Sequence, residues 1–161
     1  MVLSGIFCIL YNRMKGGFFI CLCVVLLTVS CGGRSSFLKD GYYTAEAVGY
    51  SPNGWKDYVT ISVSGRQIIH IEYNAYNSSG FLRSWDMDYM RRMKAATGTY
   101  PSAYSRYYGG LFLENQGTDG IDALSGATYS HKIFLRLVEA VLKNAREGNR
   151  KTALVDFERP I

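Results

Sequence analysis

Acidic side chains are absent from the first 34 residues of this 161-residue chain, and cysteine is absent after them. Of four cysteines, Cys8, Cys21 and Cys23 precede residue 30, which leaves Cys31 alone in the remainder. A disulfide framework in the C-terminal part is thereby excluded. Three prolines and 19% charged residues argue against long disordered tracts, a coiled coil or a collagen-like repeat. No Cys/His spacing suits haem, zinc or an iron–sulfur cluster. The apolar run Phe18–Leu27 has ten residues, whereas a permanent membrane helix needs about 20. No internal repeat is visible.

What is present is enough for one globular domain, with 48% hydrophobic residues and thirteen tyrosines. Arg13 and Lys15, then the apolar run, then small residues read as a secretory signal over residues 1–30. Met14-Lys15 also opens that pattern, which makes Met14 an alternative start, and a permanent N-terminal anchor is the competing reading. Removing Arg13 and Lys15 with the leader lowers the net charge from +5 to +3. Arg91-Arg92-Lys94 and the tail Arg146, Arg150 and Lys151 then read as solvated faces. No groove-reading motif accompanies them, so nucleic acid is not an expected partner. Arg34, Lys39 and the tail suit anionic lipid heads instead.

After a short tether, residues 31–37, the pattern alternates. Tyr42–Val48, Tyr58–Val63 and Ile68–Tyr73 read as strands, with turns at Ser51-Pro52-Asn53-Gly54 and Ser64-Gly65-Arg66. Short links make them an antiparallel meander. The period then becomes helical through Trp85, Tyr89, Met93 and Ala96, with a stop at Gly98. A second helix is expected from Pro101 to Leu113, with a break at Gly109-Gly110. The third carries the stripe Ile133, Phe134, Leu137, Val138, Val141, Leu142 and Ala145, closed by Gly148. Strands first and helices later predict an α+β domain over residues 38–161: a small antiparallel sheet with helices packed on it, the last long and amphipathic.

Two segments carry chemistry. Leu27-Thr28-Val29-Ser30-Cys31-Gly32-Gly33 resembles the bacterial lipobox, with Thr28 where Leu is usual and Leu27 one step further back. That resemblance implies lipidation of Cys31. Asp122-x-x-Ser125-Gly126-Ala127-Thr128 is similar to the flavinylation motif of the FMN-binding domain family. That family includes a subunit of the sodium-translocating NADH:quinone oxidoreductase and many bacterial lipoproteins. Asn53-Gly54-Trp55-Lys56-Asp57, Asn77-x-x-Gly80, Arg83-Ser84-x-Asp86 and Tyr89-Met90 extend the likeness to its small lipoproteins, those of the spirochaete 15-kDa membrane-immunogen type. Arg83 stands where Lys is the commoner residue.

The resemblance implies covalent FMN, donated from FAD by a flavin transferase and joined by a phosphoester to Thr128. Asp122, Ser125, Gly126 and Ala127 would complete the recognition motif. The residues are compatible with this. Gly126 and Ala127 keep side-chain bulk away from the backbone, and Thr128, expected just before the last helix, would lie at the end that attracts phosphate. A plainer reading makes Ser125, Thr128 and Ser130 caps of that helix. Trp55, Trp85, Tyr89, Met90 and Tyr108 are available to line an isoalloxazine. His70 is expected on an exposed strand face, and His131 near Thr128. Asp119 and Asp122 form no acid–base dyad.

The expected protein is a membrane-anchored, extracytoplasmic electron carrier in the cell or outer membrane, facing the periplasm or exterior. It is a carrier rather than a stand-alone enzyme. Its partners would be the transferase, with FAD and Mg²⁺, a membrane electron donor or acceptor, and the membrane itself. A noncovalent FMN-binding lipoprotein and a surface antigen or adhesin without a redox role remain the alternatives.

Overall fold

The computed structural model describes residues 37–157. The leader, Cys31 and most of the tether lie outside the described residues. Three strands open the domain: β1 (Gly41–Ala47), β2 (Lys56–Ser64) and β3 (Gln67–Tyr76). β2 pairs antiparallel with β1 and with β3, as the alternation predicts. The β2–β3 turn has positive φ at both central residues, Gly65 (59°) and Arg66 (66°), the geometry that matches strand twist in a two-residue hairpin. Asp40 stabilises it by accepting hydrogen bonds from both backbone amides, at 3.0 and 3.1 Å. These amides hold the Asp40 carboxyl below its usual pKa.

A short 3-10 turn (Arg83–Trp85) precedes three helices: α1 (Met87–Thr97), α2 (Pro101–Asn115) and α3 (Thr128–Glu147). Trp85 therefore lies outside α1. Asp86 caps that helix, its carboxylate accepting from the Tyr89 amide at 2.8 Å. Gly98 closes it in the left-handed conformation. α2 runs unbroken through Gly109-Gly110, contrary to expectation. Gly109 serves packing instead: a Cβ there would stand 3.3 Å from Ile71 Cγ2, so the bare backbone lets α2 lie close on β3.

A fourth strand, β4 (Ala153–Val155), pairs parallel with β1 and gives the order β3-β2-β1-β4. Three residues carry too little alternation to announce a strand. One face of the sheet carries partly exposed polar contacts, such as Lys56–Glu46 and Thr44–Thr60. The other face takes the helices, with α3 over β1 and β2 and α2 over β3. The expected α3 stripe is buried there, with Phe134, Leu137, Val138 and Val141 fully sealed among Tyr43, Ile61, Tyr104, Tyr108 and Phe112. Among the described residues no helix is long and apolar enough to cross a membrane.

Candidate functional site

The loop that leads into α3 is fixed from three sides. Leu124-Ser125-Gly126-Ala127 forms a turn closed by the Ala127 amide on the Leu124 carbonyl at 2.9 Å. Gly126 sits at φ +78°, and a Cβ there would stand 2.3 Å from the Thr97 carbonyl oxygen. Only glycine satisfies both demands, and its absent side chain lets the turn rest on the C-terminal end of α1. From below, the buried Tyr108 hydroxyl accepts from the Leu124 amide (3.1 Å) and donates to the Ala127 carbonyl (3.3 Å). Burial pushes the Tyr108 hydroxyl above its usual pKa, so it remains a donor at neutral pH. From the helix side, His131 Nε2 lies 2.7 Å from the Ile121 carbonyl, and its ring stands 5.4 Å from that of Tyr108. His131 is thus a half-buried clamp on the loop.

Within this frame Asp122, Ser125, Gly126 and Thr128 are exposed, while Ala127 is sealed against the core. The five motif residues run from the loop at Asp122 through the Leu124–Ala127 turn to Thr128. The structure corrects one placement: Thr128 is the first residue of α3, not the residue before it. Ala127 stands at the cap position, and no side chain caps the helix. The capping reading of Ser125, Thr128 and Ser130 therefore has no hydrogen bond behind it. The first helical bond runs from the His131 amide to the Ala127 carbonyl. The amides of Thr128, Tyr129 and Ser130 thus precede the ladder, and such groups favour an anion. Ser130 is half-buried, and its carbonyl accepts from the Tyr73 hydroxyl at 3.0 Å. Thr128 is the accessible hydroxyl of the two.

A cleft of about 320 Å³ opens beside the first turn of α3, within the size range of small-molecule sites. Tyr129 and Ile133 line it from α3, together with residues 47–52, Trp55, Asp57 and residues 155–157. Of the five aromatic and sulfur residues proposed from sequence, only Trp55 lines this cleft. Tyr108 and Met90 are buried elsewhere, Tyr89 packs against the Trp55 ring at 5.8 Å, and Trp85 is exposed beside Phe81. His70 is exposed on β3, as expected.

Sequence reasoning missed the buried polar group that includes Asp57. Asp57 and Arg83 form a buried ion pair, Nη2 to Oδ1 at 2.8 Å, and the Tyr73 hydroxyl stands 3.4 Å from the same oxygen. Burial pushes the Asp57 carboxyl up and the adjacent guanidinium pulls it back. Burial likewise opposes the Arg83 charge, but the Asp57 carboxylate holds it protonated. The Asn-Gly-Trp-Lys-Asp and Arg-Ser-x-Asp runs, 26 residues apart in sequence, meet through this pair. Nothing in a single chain signals that meeting. Among the described residues no His/Cys/Asp/Glu group is arranged to hold a metal.

No protein-family model matches the chain. It is 32% identical over 142 residues to the 15 kDa lipoprotein of Treponema pallidum (strain Nichols), an alignment covering 87% of this chain and 96% of that protein. The crystal structure of the CPE2226 protein from Clostridium perfringens superposes with a TM-score of 0.71 at 37% identity, over 74% of this chain and 98% of the other. With that identity over nearly the whole relative, the chain belongs to the family of the Treponema pallidum 15 kDa lipoprotein.

Proposed function

We propose that this protein is a lipid-anchored, extracytoplasmic flavin carrier, with FMN joined through its phosphate to the Thr128 hydroxyl. The observation that carries the reading is the presentation of that hydroxyl. It stands exposed on the first residue of α3, on a turn fixed by Gly126 and Tyr108, beside uncapped amides and an aromatic-walled cleft. The residues fit such a group. Thr128 Oγ1 offers the point of attachment, the amides at the start of α3 favour the remaining phosphate charge, and Trp55, Tyr129 and Ile133 offer apolar cover for a ring.

Attachment requires Thr128 Oγ1 to lose its proton and take the FMN half of FAD, with AMP leaving. Among the described residues no base is bonded to that hydroxyl, and the reading assigns the deprotonation to the transferase. Asp122 and Ser125, both exposed on the loop that leads into α3, are the surface a transferase would read. Once bound, the flavin supplies one- or two-electron chemistry, and the protein contributes position, burial and polarity. Covalent attachment also suits a compartment from which a diffusible cofactor would be lost. Lipidation of Cys31 agrees with membership of a lipoprotein family and with the leader that precedes it.

Co-expression with a flavin transferase, followed by denaturing gel electrophoresis, peptide mass mapping and intact mass, tests the reading. Flavin fluorescence retained on the denatured band and mapped to Thr128 is the expected result. Flavin released on denaturation would assign a noncovalent carrier, and a colourless protein beside an active transferase would refute the flavin reading. In parallel, Cys31→Ser should block processing or release the protein from membranes. Normal processing and membrane retention of that variant would remove the lipid anchor.

A further inference from the structure

Asp57 is a buried carboxylate with only one oxygen occupied. Oδ1 takes both bonds, from Arg83 Nη2 at 2.8 Å and from the Tyr73 hydroxyl at 3.4 Å. Oδ2 takes none from the described residues. Arg83 Nε is the one sealed side-chain polar atom without a partner among them, so Oδ2 keeps an opening. Asp57 is itself among the residues that line the cleft, together with Tyr129 and Ile133, and we place the opening there. A carboxylate is acceptor only, and one held in an apolar setting with spare acceptor capacity costs free energy until a donor reaches it.

The rest of the cleft narrows what that donor belongs to. Tyr50, Trp55, Tyr129 and Phe157 line it together with a second acidic residue, Asp156, and no Lys, Arg or His does. It therefore suits a planar, uncharged ring and offers nothing to an anion. The phosphate-favouring amides are those at the start of α3. Asp57 is also near that helix start: its Oδ1 and the Ser130 carbonyl are bridged by one hydroxyl, that of Tyr73.

We infer that Asp57 Oδ2 accepts a hydrogen bond from the imide N–H of a flavin ring seated in this cleft, with Arg83 and Tyr73 fixing the carboxylate plane. The inference rests on the flavin reading above and adds a ring-recognition residue to it. Asp57 is separate from the attachment motif and acts whether or not the phosphate is bonded to Thr128.

The test uses free ring ligands on the full chain, produced without a transferase and purified in detergent. Lumiflavin carries the imide N–H, and 3-methyllumiflavin replaces its hydrogen with methyl. Titration by fluorescence quenching should show lumiflavin binding about ten- to hundredfold more tightly, the range for a hydrogen bond to a charged group. Asp57→Leu alone would strand the buried Arg83, so the companion protein is the double variant Asp57→Leu with Arg83→Met, which removes both charges and the acceptor oxygens. There the two ligands should bind equally. Equal binding in the unaltered protein, no lumiflavin binding, or preference persisting in the double variant would each overturn the assignment. Covalent flavin on Thr128, read separately by gel fluorescence, would survive any of those results.

Discussion

Gly126→Ala is the perturbation that separates backbone strain from close approach at the motif turn. The position has φ +78°, where an L side chain costs about 1–2 kcal/mol. The new Cβ would also stand 2.3 Å from the Thr97 carbonyl oxygen and 2.9 Å from its Cβ. Backbone cannot swing aside like the tip of a long side chain, so α1 and the turn must part, at about 1–3 kcal/mol more for overpacking. The sum is about 2–5 kcal/mol. Gly120→Ala is the matched control: φ is +71°, but the nearest atom to its Cβ is Asn115 Nδ2 at 3.6 Å, ordinary contact. It should show the strain of about 1–2 kcal/mol alone. In urea, with a slope of about 2 kcal/mol per molar, the two midpoints should differ by about 0.5–1.5 M. If both variants unfold at the same concentration, the close approach to Thr97 contributes nothing and the account of Gly126 is wrong. Flavin loading adds a second reading, since a displaced turn would present Thr128 badly while the sheet stays intact.

Tyr108→Phe removes the hydroxyl that joins the Leu124 amide to the Ala127 carbonyl, and should lower stability by about 1–3 kcal/mol in chemical denaturation. Leu137→Ala, at a fully sealed position of the α3 stripe, should cost about 2–5 kcal/mol. Thr128→Val, on an exposed residue that caps nothing, should stay within about 0.5 kcal/mol; denaturation curves in the reverse order would refute the division between core and site. Asp40 has a lowered folded pKa, so its contribution is complete above the ordinary value of 3.8 and is lost as pH falls through the folded one. Asp40→Asn should therefore flatten that acid limb, and an unchanged stability–pH profile would show that the turn does not depend on the carboxylate.

The meander and α3 were legible because each has a repeating signal: alternation through Tyr58–Val63, and a wide apolar stripe from Ile133 to Ala145. Helix ends were legible where Gly98 and Gly148 supply the left-handed residue that stops a helix. Local propensity failed where packing decides. Gly109-Gly110 reads as a breaker, yet α2 needs the missing Cβ against Ile71. Thr128 and Ser130 read as caps, yet Ala127 occupies the cap position, its side chain sealed in the core and its carbonyl bonded to Tyr108. The motif itself was visible as a string of residues. The tyrosine beneath it, the clamp from His131 and the Asp57–Arg83 pair were not, because each joins segments that sequence spacing leaves unrelated.

α3 works as a ruler. Its last turn is fastened to the start of the domain, with the Lys39 amide on the Ala145 carbonyl at 3.0 Å and Lys39 Nζ on the Glu147 carbonyl at 2.9 Å. Its first residue is Thr128. Twenty helical residues separate these ends by about 30 Å. β1 repeats the arrangement, starting at Gly41 beside Arg150 and ending at Ala47 on the cleft. Lys39, near the start of the described residues, is therefore held at one end of α3, while the Thr128 hydroxyl is offered at the other. The standoff is set by helix length, and each turn inserted into or removed from α3 would change it by about 5.4 Å.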